Sequence, residues 1–376
     1  METLQEEPKS ALEEYLEILD SVSEAIIHID WDGTIKFLNK AWEVHTGYSI
    51  KECIGIPFIH FIHPADHAEI LKSLYTLHAS TEHQTNFEIR FLDKDFKLRW
   101  AKLTLCKKVY SNGALSGFIA TMLDRTEQKM IEMEKTNDLY MARRVQLSIL
   151  PPPHEDERMS IIAYHKPSEI LSGDMYCWFK MDEHTYGIML IDVMGHGVSS
   201  SLICMSVGAA MRDLVARQLN VVDTMQELNR HMVEFYHTSD DDAINHYFTA
   251  IYALVNTENQ TVEYVNAGHN PGFWMDETGL RLLDSTTCPI GLFTDIPIEK
   301  KSFSYEGHAI MGLCTDGFYD AMAEDCEEAE EQMLAYLQRP GMNRNGKVIK
   351  QTVANLIDNC KDNRDDITVV IVELPD

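Results

Sequence analysis

The stretch Tyr186–Met205, YGIMLIDVMGHGVSSSLICM, decides how the rest of the chain is read. Its first part, Gly187–Ile191, is an apolar run rich in large aliphatic residues, which predicts a buried strand. That strand delivers Asp192 to its end. Gly195-His196-Gly197 then forms a turn whose glycines permit positive φ. The serines that follow cap a long apolar helix over about Ser199–Leu219. A carboxylate at a strand end beside such a turn is aimed at something outside the core. A solvated turn aspartate has the same local pattern, so Asp192 gains meaning only from what converges on it.

Composition narrows the function. The 376 residues are 45% hydrophobic and 24% charged, enough for two or three domains with sizeable cores. A net charge of −28 argues against nucleic acid and against anionic membrane surfaces. No apolar run approaches the ~20 residues of a spanning helix. The start, METLQEEPKS, is polar and acidic, unlike a signal peptide. Eight cysteines are scattered without CxxC pairing, the pattern of free thiols in a reducing compartment. A cytoplasmic location is therefore expected.

Upstream, residues 1–20 carry an amphipathic helix with Leu12, Tyr15, Leu16 and Leu19 on one stripe. Ala25–Asp30 and Thr34–Asn39 read as a hairpin about Trp31-Asp32-Gly33. Short helical pieces over Lys40–Gly47 and His63–His78 follow. Three more strands are expected at Gln84–Leu92, Leu98–Val109 and Ala114–Leu123, with turns at Asp93-Lys94-Asp95 and Ser111-Asn112-Gly113. On Asp32-Gly33, Phe37-Leu38-Asn39, Gly47-Tyr48, His63-Pro64-Ala65-Asp66, Trp100 and Asp124-Arg125-Thr126-Glu127, taken in order, residues 21–127 resemble a PAS sensor domain.

PAS domains include flavin and haem sensors, so the resemblance raises the question of a ligand. The photoactive flavin motif, of the Asn-Cys-Arg-Phe type, is not found. Gly55–His60 stands in its place, and Cys53 is out of position. His60, His63, His67 and His78 are haem-ligand candidates by residue type alone, and histidines near turns more often serve as caps or surface residues. The ligand of this region is left unknown.

The charged run Arg125–Leu150 places Met130, Met133, Asn137, Met141, Val145 and Ile149 near heptad spacing, which predicts a short coiled coil between two copies. A monomeric helix docked on a neighbouring domain is the other reading. Pro151-Pro152-Pro153 ends this linker, residues 128–152. A homodimer through the N-terminal helix, the PAS-like domain and the linker is expected.

Residues 153–376 alternate short strands with two long helices, the second over Val222–Tyr236. Strands are expected at Met159–His165, Tyr176–Met181, Tyr247–Val255, Thr261–Ala267, Gly272–Met275, Arg281–Leu283, His308–Thr315 and Thr368–Leu374. Glu324–Glu331 reads as a solvated helix face. The fold class is α+β, with antiparallel sheets covered by helices.

Four aspartate sites stand at strand ends or beside glycine in this region: Asp174, Asp192, Asp316 and the pair Asp365-Asp366. Carboxylates that converge cannot all stay ionised without cations. Hard oxygen ligands suit Mg²⁺ or Mn²⁺, and no Cys/His cluster offers a zinc site. Two such ions ~3.5–4 Å apart can lower the pKa of a water between them and orient a phosphoryl group for in-line attack. Metal-assisted hydrolysis of a phosphate ester is the chemistry these residues suggest.

The motifs Ser172-Gly173-Asp174, Asp192–Gly197, Asn266-Ala267-Gly268-His269-Asn270-Pro271, Thr315-Asp316-Gly317 and Asp365–Thr368 resemble, in order, the PPM family of metal-dependent serine/threonine phosphatases, and most closely its bacterial SpoIIE/RsbU-type branch. The resemblance implies an α-β-β-α sandwich of two antiparallel sheets and two Mn²⁺ or Mg²⁺ ions. It also implies that Asp192 bridges both ions, with the Val193 carbonyl, Asp174, Asp316 and Asp365 completing the set and Asp366 beside them. Cys177 replaces an acidic residue common in the family. Met194 occupies the place of a histidine proposed as general acid in eukaryotic relatives. His196 is a secondary candidate for that role, with water the alternative, while His269 with Asn270 and Pro271 reads as a structural turn. No phosphate-clamping arginine is evident. The implied substrate is a phosphorylated STAS-type anti-sigma-factor antagonist in a partner-switching pathway. The competing reading is a catalytically silent binding module, which the retained carboxylates oppose.

Overall fold

The computed structural model describes residues 11–79, 82–109, 115–217, 220–236, 246–322, 332, 333, 335, 337, 346–360 and 364–375. It divides the chain into two units, residues 1–136 and 137–376.

The first unit begins with α1 (Ala11–Ser21), on which no residue is buried, so Leu12, Tyr15 and Ile18 lie exposed. β1 (Ala25–Asp30) buries Ala25, Ile27 and Ile29 in alternation, the period of a half-buried strand. β2 (Ile35–Leu38) is followed by the helices α2 (Ala41–Thr46), α3 (Ile50–Cys53) and α4 (His67–Ala79), then by β3 (Gln84–Leu92), β4 (Leu98–Val109) and β5 (Leu115–Asp124). The antiparallel sheet runs β2-β1-β5-β4-β3. Sheet and helices share a core of Ile27, Trp42, Phe58, Phe61, Phe91, Leu103 and Met122.

Several buried polar groups in this unit are paired, as burial favours. Asn39 accepts from Ile26 N at 2.8 Å and donates to Leu19 O at 2.9 Å and Glu24 O at 3.0 Å. Asp66 receives the Arg90 guanidinium, whose hydrogen bonds hold its carboxyl below the usual range. The Trp100 ring has Arg90 5.6 Å and Lys129 5.3 Å from its centroid. Trp100 N also donates to Thr126 Oγ1 at 2.9 Å, which fixes the first residue of the next helix, α5 (Thr126–Ile149). Of the histidines considered for haem, His63 accepts from Ala65 N, His67 bonds the Ile62 carbonyl and His60 is exposed. The His78 side chain and the turn at Ser111–Gly113 lie outside the described residues.

The second unit is a sandwich. In chain order it holds β6 (His154–Glu155), β7 (Ser160–Lys166), β8 (Asp174–Lys180), β9 (Thr185–Val193), α6 (Val198–Ala216), α7 (Val221–Tyr236), β10 (Phe248–Asn256) and β11 (Thr261–Ala267). These are followed by β12 (Gly272–Asp276), β13 (Gly279–Leu283), β14 (Lys301–Ser304), β15 (Ala309–Cys314), α8 (Asp316–Asp320), α9 (Gly346–Asn359) and β16 (Ile367–Leu374). Two antiparallel sheets, β14-β11-β10-β9-β8 and β13-β12-β15-β16-β7-β6, face each other. Between them lie Tyr186, Ile188, Leu190, Ile251, Trp274, Met311, Leu313 and Val370. The opposite face of the first sheet, with Met189, Ile191 and Val193, packs on Ile203, Val207 and Met211 of α6 and Met225 and Leu228 of α7. The outer face of the second sheet, with Phe273, Ile310 and Ile371, packs on Phe318 of α8 and Ile349 and Val353 of α9. The α-β-β-α layering is thus present.

Three local expectations change. The serines do not cap α6: its N-cap is Gly197 at φ 87, and Ser200 and Ser201 instead bond back to the carbonyls of Gly197 and Val198. A hydroxyl in the first helical turn reaches the carbonyl three residues behind it as readily as an amide ahead. The helix also ends at Ala216, short of Leu219. By length and composition α6 is apolar enough to cross a membrane, contrary to the reading of the sequence, but it packs against β8, β9 and α7 with Ile203, Cys204, Val207 and Met211 buried. The acidic run Glu324–Glu331 lies outside the described residues.

Candidate active site

Strand register builds the site. Asp174, the first residue of β8, stands directly opposite Asp192 of β9, and on the other side of β9 Asp192 stands opposite Thr249 of β10. Directly opposed residues share a face of the sheet. Asp174, Asp192 and Thr249 therefore form a row on the face that carries Tyr176, Leu190 and Ile251 into the inter-sheet core. The second sheet answers from across the gap. Asp316 follows β15 as the first residue of α8, and Asp365-Asp366 lead into β16. Thr315 Oγ1 and Thr368 Oγ1 reach over to Asp174 Oδ2 at 2.8 and 2.7 Å.

The charges in this group oppose one another. Burial, then the carboxylates of Asp192 and Asp366, hold Asp174 well above the usual carboxylate range. Burial, then Asp316, Asp365 and Asp366, push Asp192 up to about 7. Asp316 and Asp365 are also raised, each by burial first and then by a neighbouring carboxylate. Four segments distant in sequence thus place acidic oxygens close enough to repel, which is the demand a cation satisfies.

The loop before Asp174 is held on three sides. Asp366 accepts from Ser168 N at 2.6 Å and Ser168 Oγ at 2.9 Å on one oxygen, and from Gly173 N at 2.7 Å on the other. Gly173 admits no side chain, because a Cβ there would lie 2.9 Å from Gly195 O and 3.1 Å from Val193 O. From the end of α5, Gln146 donates to Ser172 O at 2.7 Å and accepts from Ser172 N at 3.2 Å. Both groups of Ser172 are buried and would be left unpaired by Gln146→Ala, at about 1–3 kcal/mol each. That variant is expected to lose about 2 kcal/mol or more of unfolding free energy in urea titrations.

The glycine turn behaves as its sequence implied, with Gly195 at φ 83 and Gly197 at φ 87. It leaves His196 at the rim, 62% exposed, with Nδ1 2.9 Å from Glu169 Oε1. Beside that pair a groove of about 340 Å³ is lined by Leu139, Ile170, Leu171 and Val198. His269 is outside the carboxylate group: it is buried and bonds Thr249 Oγ1 through Nδ1 at 2.8 Å, with Gly268 at φ 65 and Asn266 Oδ1 taking its backbone N–H. Its burial depresses the imidazole to about 4. Cys177 is also buried, and burial raises its thiol to about 12.

The donor set is oxygen throughout: the carboxylates of Asp174, Asp192, Asp316 and Asp365 and the nearby Val193 carbonyl. That chemistry fits Mg²⁺ or Mn²⁺ better than zinc. Among the described residues no three His, Cys, Asp or Glu side chains converge closely enough to hold an ion as they stand, so a cation here would require the carboxylates to draw together. The reading of the sequence did not single out the hydroxyls of Thr315 and Thr368, the clamp made by Asp366, or Gln146. The two threonines do stand inside motifs that were legible, Thr315-Asp316-Gly317 and Asp365–Thr368.

Comparison with known proteins points to the same fold. Over 196 residues the chain is 38% identical to phosphoserine phosphatase RsbP of Bacillus subtilis (strain 168), a match covering 52% of this chain and 48% of that protein. It is 25% identical over 217 residues to phosphoserine phosphatase RsbU of the same organism, covering 57% and 60% respectively. The chain thus spans about half the length of RsbP and three fifths of RsbU. In fold it is similar to the SiaA-PP2C domain of Pseudomonas aeruginosa, with a TM-score of 0.53 at 18% identity, covering 66% of this chain and 98% of that domain. Residues 13–125 match the PAS fold. Residues 182–375 match Stage II sporulation protein E, and with its carboxylate-bearing sandwich the chain belongs to that SpoIIE family.

Proposed function

We propose that the chain is a Mn²⁺- or Mg²⁺-dependent protein phosphatase that hydrolyses phosphoserine or phosphothreonine on a signalling partner. The observation that carries this reading is the mutual repulsion of Asp174, Asp192, Asp316 and Asp365, brought together from four separate segments. The names of RsbP and RsbU support the phosphoserine specificity. A silent binding module has no comparable need for buried, unneutralised carboxylates.

Asp192, central in the row, would hold the ions together with Asp174, Asp316, Asp365 and the Val193 carbonyl. Ions bound there supply a water of lowered pKa and neutralise charge on the phosphoryl group. The chain's own contribution is preorganisation. Thr315 and Thr368 fix one oxygen of Asp174, and Asp366, with both oxygens already engaged, holds the 168–173 loop. His196 can approach a leaving oxygen only from the rim, already paired with Glu169. His196→Ala is therefore expected to lower turnover less than about tenfold, below the 10²–10⁴ of a general acid. A pH–rate profile that keeps its shape in the variant would agree.

The domain plan follows: an N-terminal helix over 1–20, a PAS sensor over 21–127, a helical linker over 128–152 and the phosphatase over 153–376. Met130, Met133, Met141 and Val145 on α5 are each more than half exposed, the apolar stripe a second copy would cover. The chain is expected to be a cytoplasmic homodimer, so light scattering should give twice 43.0 kDa, and a monomer mass would contradict it. The substrate proposed is a small phosphorylated STAS-type anti-sigma-factor antagonist. Signals from the PAS region would reach the site through α5 and its Gln146–Ser172 contact.

The direct test is release of phosphate from a phosphoserine peptide by the full chain, with Mn²⁺ and then with EDTA. Mn²⁺-dependent release is expected. No release under any metal condition, with partner binding intact, would favour the silent module.

A further inference from the structure

Below the carboxylates a second polar layer joins the two sheets. Thr368 stands opposite His165 in the β16–β7 register, and His165 Nδ1 lies 2.9 Å from Thr368 Oγ1. The same Oγ1 lies 2.7 Å from Asp174 Oδ2, and Thr315 Oγ1 lies 2.8 Å from that same oxygen. A threonine hydroxyl has a single hydrogen. With Asp174 ionised, that hydrogen goes to the carboxylate, so the contact with His165 requires Nδ1–H to donate to the Thr368 oxygen. The tautomer follows: the proton is on Nδ1 and Nε2 is bare. Consistently, Nε2 is buried with no hydrogen-bond partner among the described residues. Because both threonines take Oδ2, Oδ1 is the oxygen of Asp174 left for a cation.

We propose that His165 is a positioning residue for the acidic site: its Nδ1–H holds Thr368 with the hydroxyl hydrogen committed to Asp174, which selects the carboxylate oxygen that meets the metal. This rests on the phosphatase reading, in which Asp174 is a metal ligand. His165 touches no ligand itself, and it acts as a neutral ring, since burial depresses it to about 4. Groups that orient a metal ligand from behind commonly change metal affinity 10–100-fold when removed.

The test is calorimetric titration of Mn²⁺ into the EDTA-stripped full chain. Thr368→Val and His165→Leu should each weaken binding by about 10-fold or more. Acting in series, they should not multiply: the double variant should stay within about twofold of Thr368→Val alone. His165→Asn, whose amide N–H can replace Nδ1–H, should recover most of the affinity. Wild-type affinity in His165→Leu, or losses that multiply in the double variant, would overturn the relay and leave the phosphatase reading standing. A wild type that takes up no Mn²⁺ would overturn both. If His165→Leu does not fold, ¹⁵N-histidine spectra of the Mg²⁺-saturated wild type, in which Asp174 is ionised, decide, with an Nδ1–H tautomer expected at His165 and an Nε2–H tautomer contradicting the relay.

Discussion

Asp192→Asn is expected to abolish Mn²⁺-dependent phosphate release, by about a thousandfold or more, while raising the melting temperature of the metal-free chain. The first effect follows from replacing, at the residue proposed to hold the ions, a carboxylate with a neutral amide. Metal ions contribute several kcal/mol of charge stabilisation in the transition state, and about 4 kcal/mol is a thousandfold. The second effect follows from repulsion. Asp192 sits among Asp316, Asp365 and Asp366, which together with burial push its carboxyl up to about 7. Asparagine has almost the same shape and removes that charge. A residue that serves only packing would lower both quantities, so opposite movement of activity and melting temperature is diagnostic. Activity within tenfold of wild type, at saturating Mn²⁺, would remove Asp192 from the centre of the site.

The crowded carboxyls should also contribute stability to the metal-free chain that is lost as pH rises, the reverse of ordinary carboxylate behaviour and opposite in sign to the buried histidines His165 and His269. Asp192 has an ordinary value of 3.8 and is raised to about 7 in the fold; Asp174, Asp316 and Asp365 are raised as well. Between these limits these four carboxyls bind more protons in the folded chain than in the unfolded one. Their contribution to unfolding free energy therefore falls with increasing pH through that window. At about 1.4 kcal/mol per pH unit, Asp192 alone corresponds to roughly 4 kcal/mol. For a unit of this size that is about 10 °C in melting temperature between pH 4 and pH 7, read as the change over that range in the difference between wild type and Asp192→Asn. On the proposed reading Mn²⁺ would bind the ionised carboxylates of the folded state, so saturating metal should recover the loss near pH 7. Melting curves in EDTA and in Mn²⁺ across this range measure both parts. A difference in melting temperature between metal-free wild type and Asp192→Asn that stays constant from pH 4 to pH 7 would show that the carboxylates do not crowd one another.

Much of this was legible in the sequence because the signals were local and strong. Thr185–Val193 is a strand because Tyr186–Ile191 is apolar and buried throughout, and the strands Ala25–Asp30, Gln84–Leu92, Leu98–Val109 and Thr261–Ala267 fall where alternation or apolar runs put them. The carboxylates were visible because each stands at a strand end or against glycine. What was not legible depends on contacts between distant segments. β14, Lys301–Ser304, is an edge strand of four mostly polar residues with no pattern of its own, made a strand by pairing with β11. α9 did carry an i, i+4 signal in Ile349, Val353 and Ile357, which the reading passed over. The cap of α6 was misread because serine is a common N-cap, whereas here Gly197 supplies a backbone geometry that no serine adopts comfortably. The clamp of Asp366 on Ser168 and Gly173, and the bond of Gln146 to Ser172, join residues with no spacing relation that a single sequence could reveal.

The central claim is that Asp174, Asp192, Asp316 and Asp365 hold two divalent ions. Crystals grown or soaked in Mn²⁺, with anomalous scattering recorded at the manganese edge, address it directly. Two peaks roughly 3.5–4 Å apart, with Asp192 between them and the other three carboxylates around them, are the predicted result. No peak at these carboxylates, in a crystal whose solution phase contains saturating Mn²⁺, would contradict it.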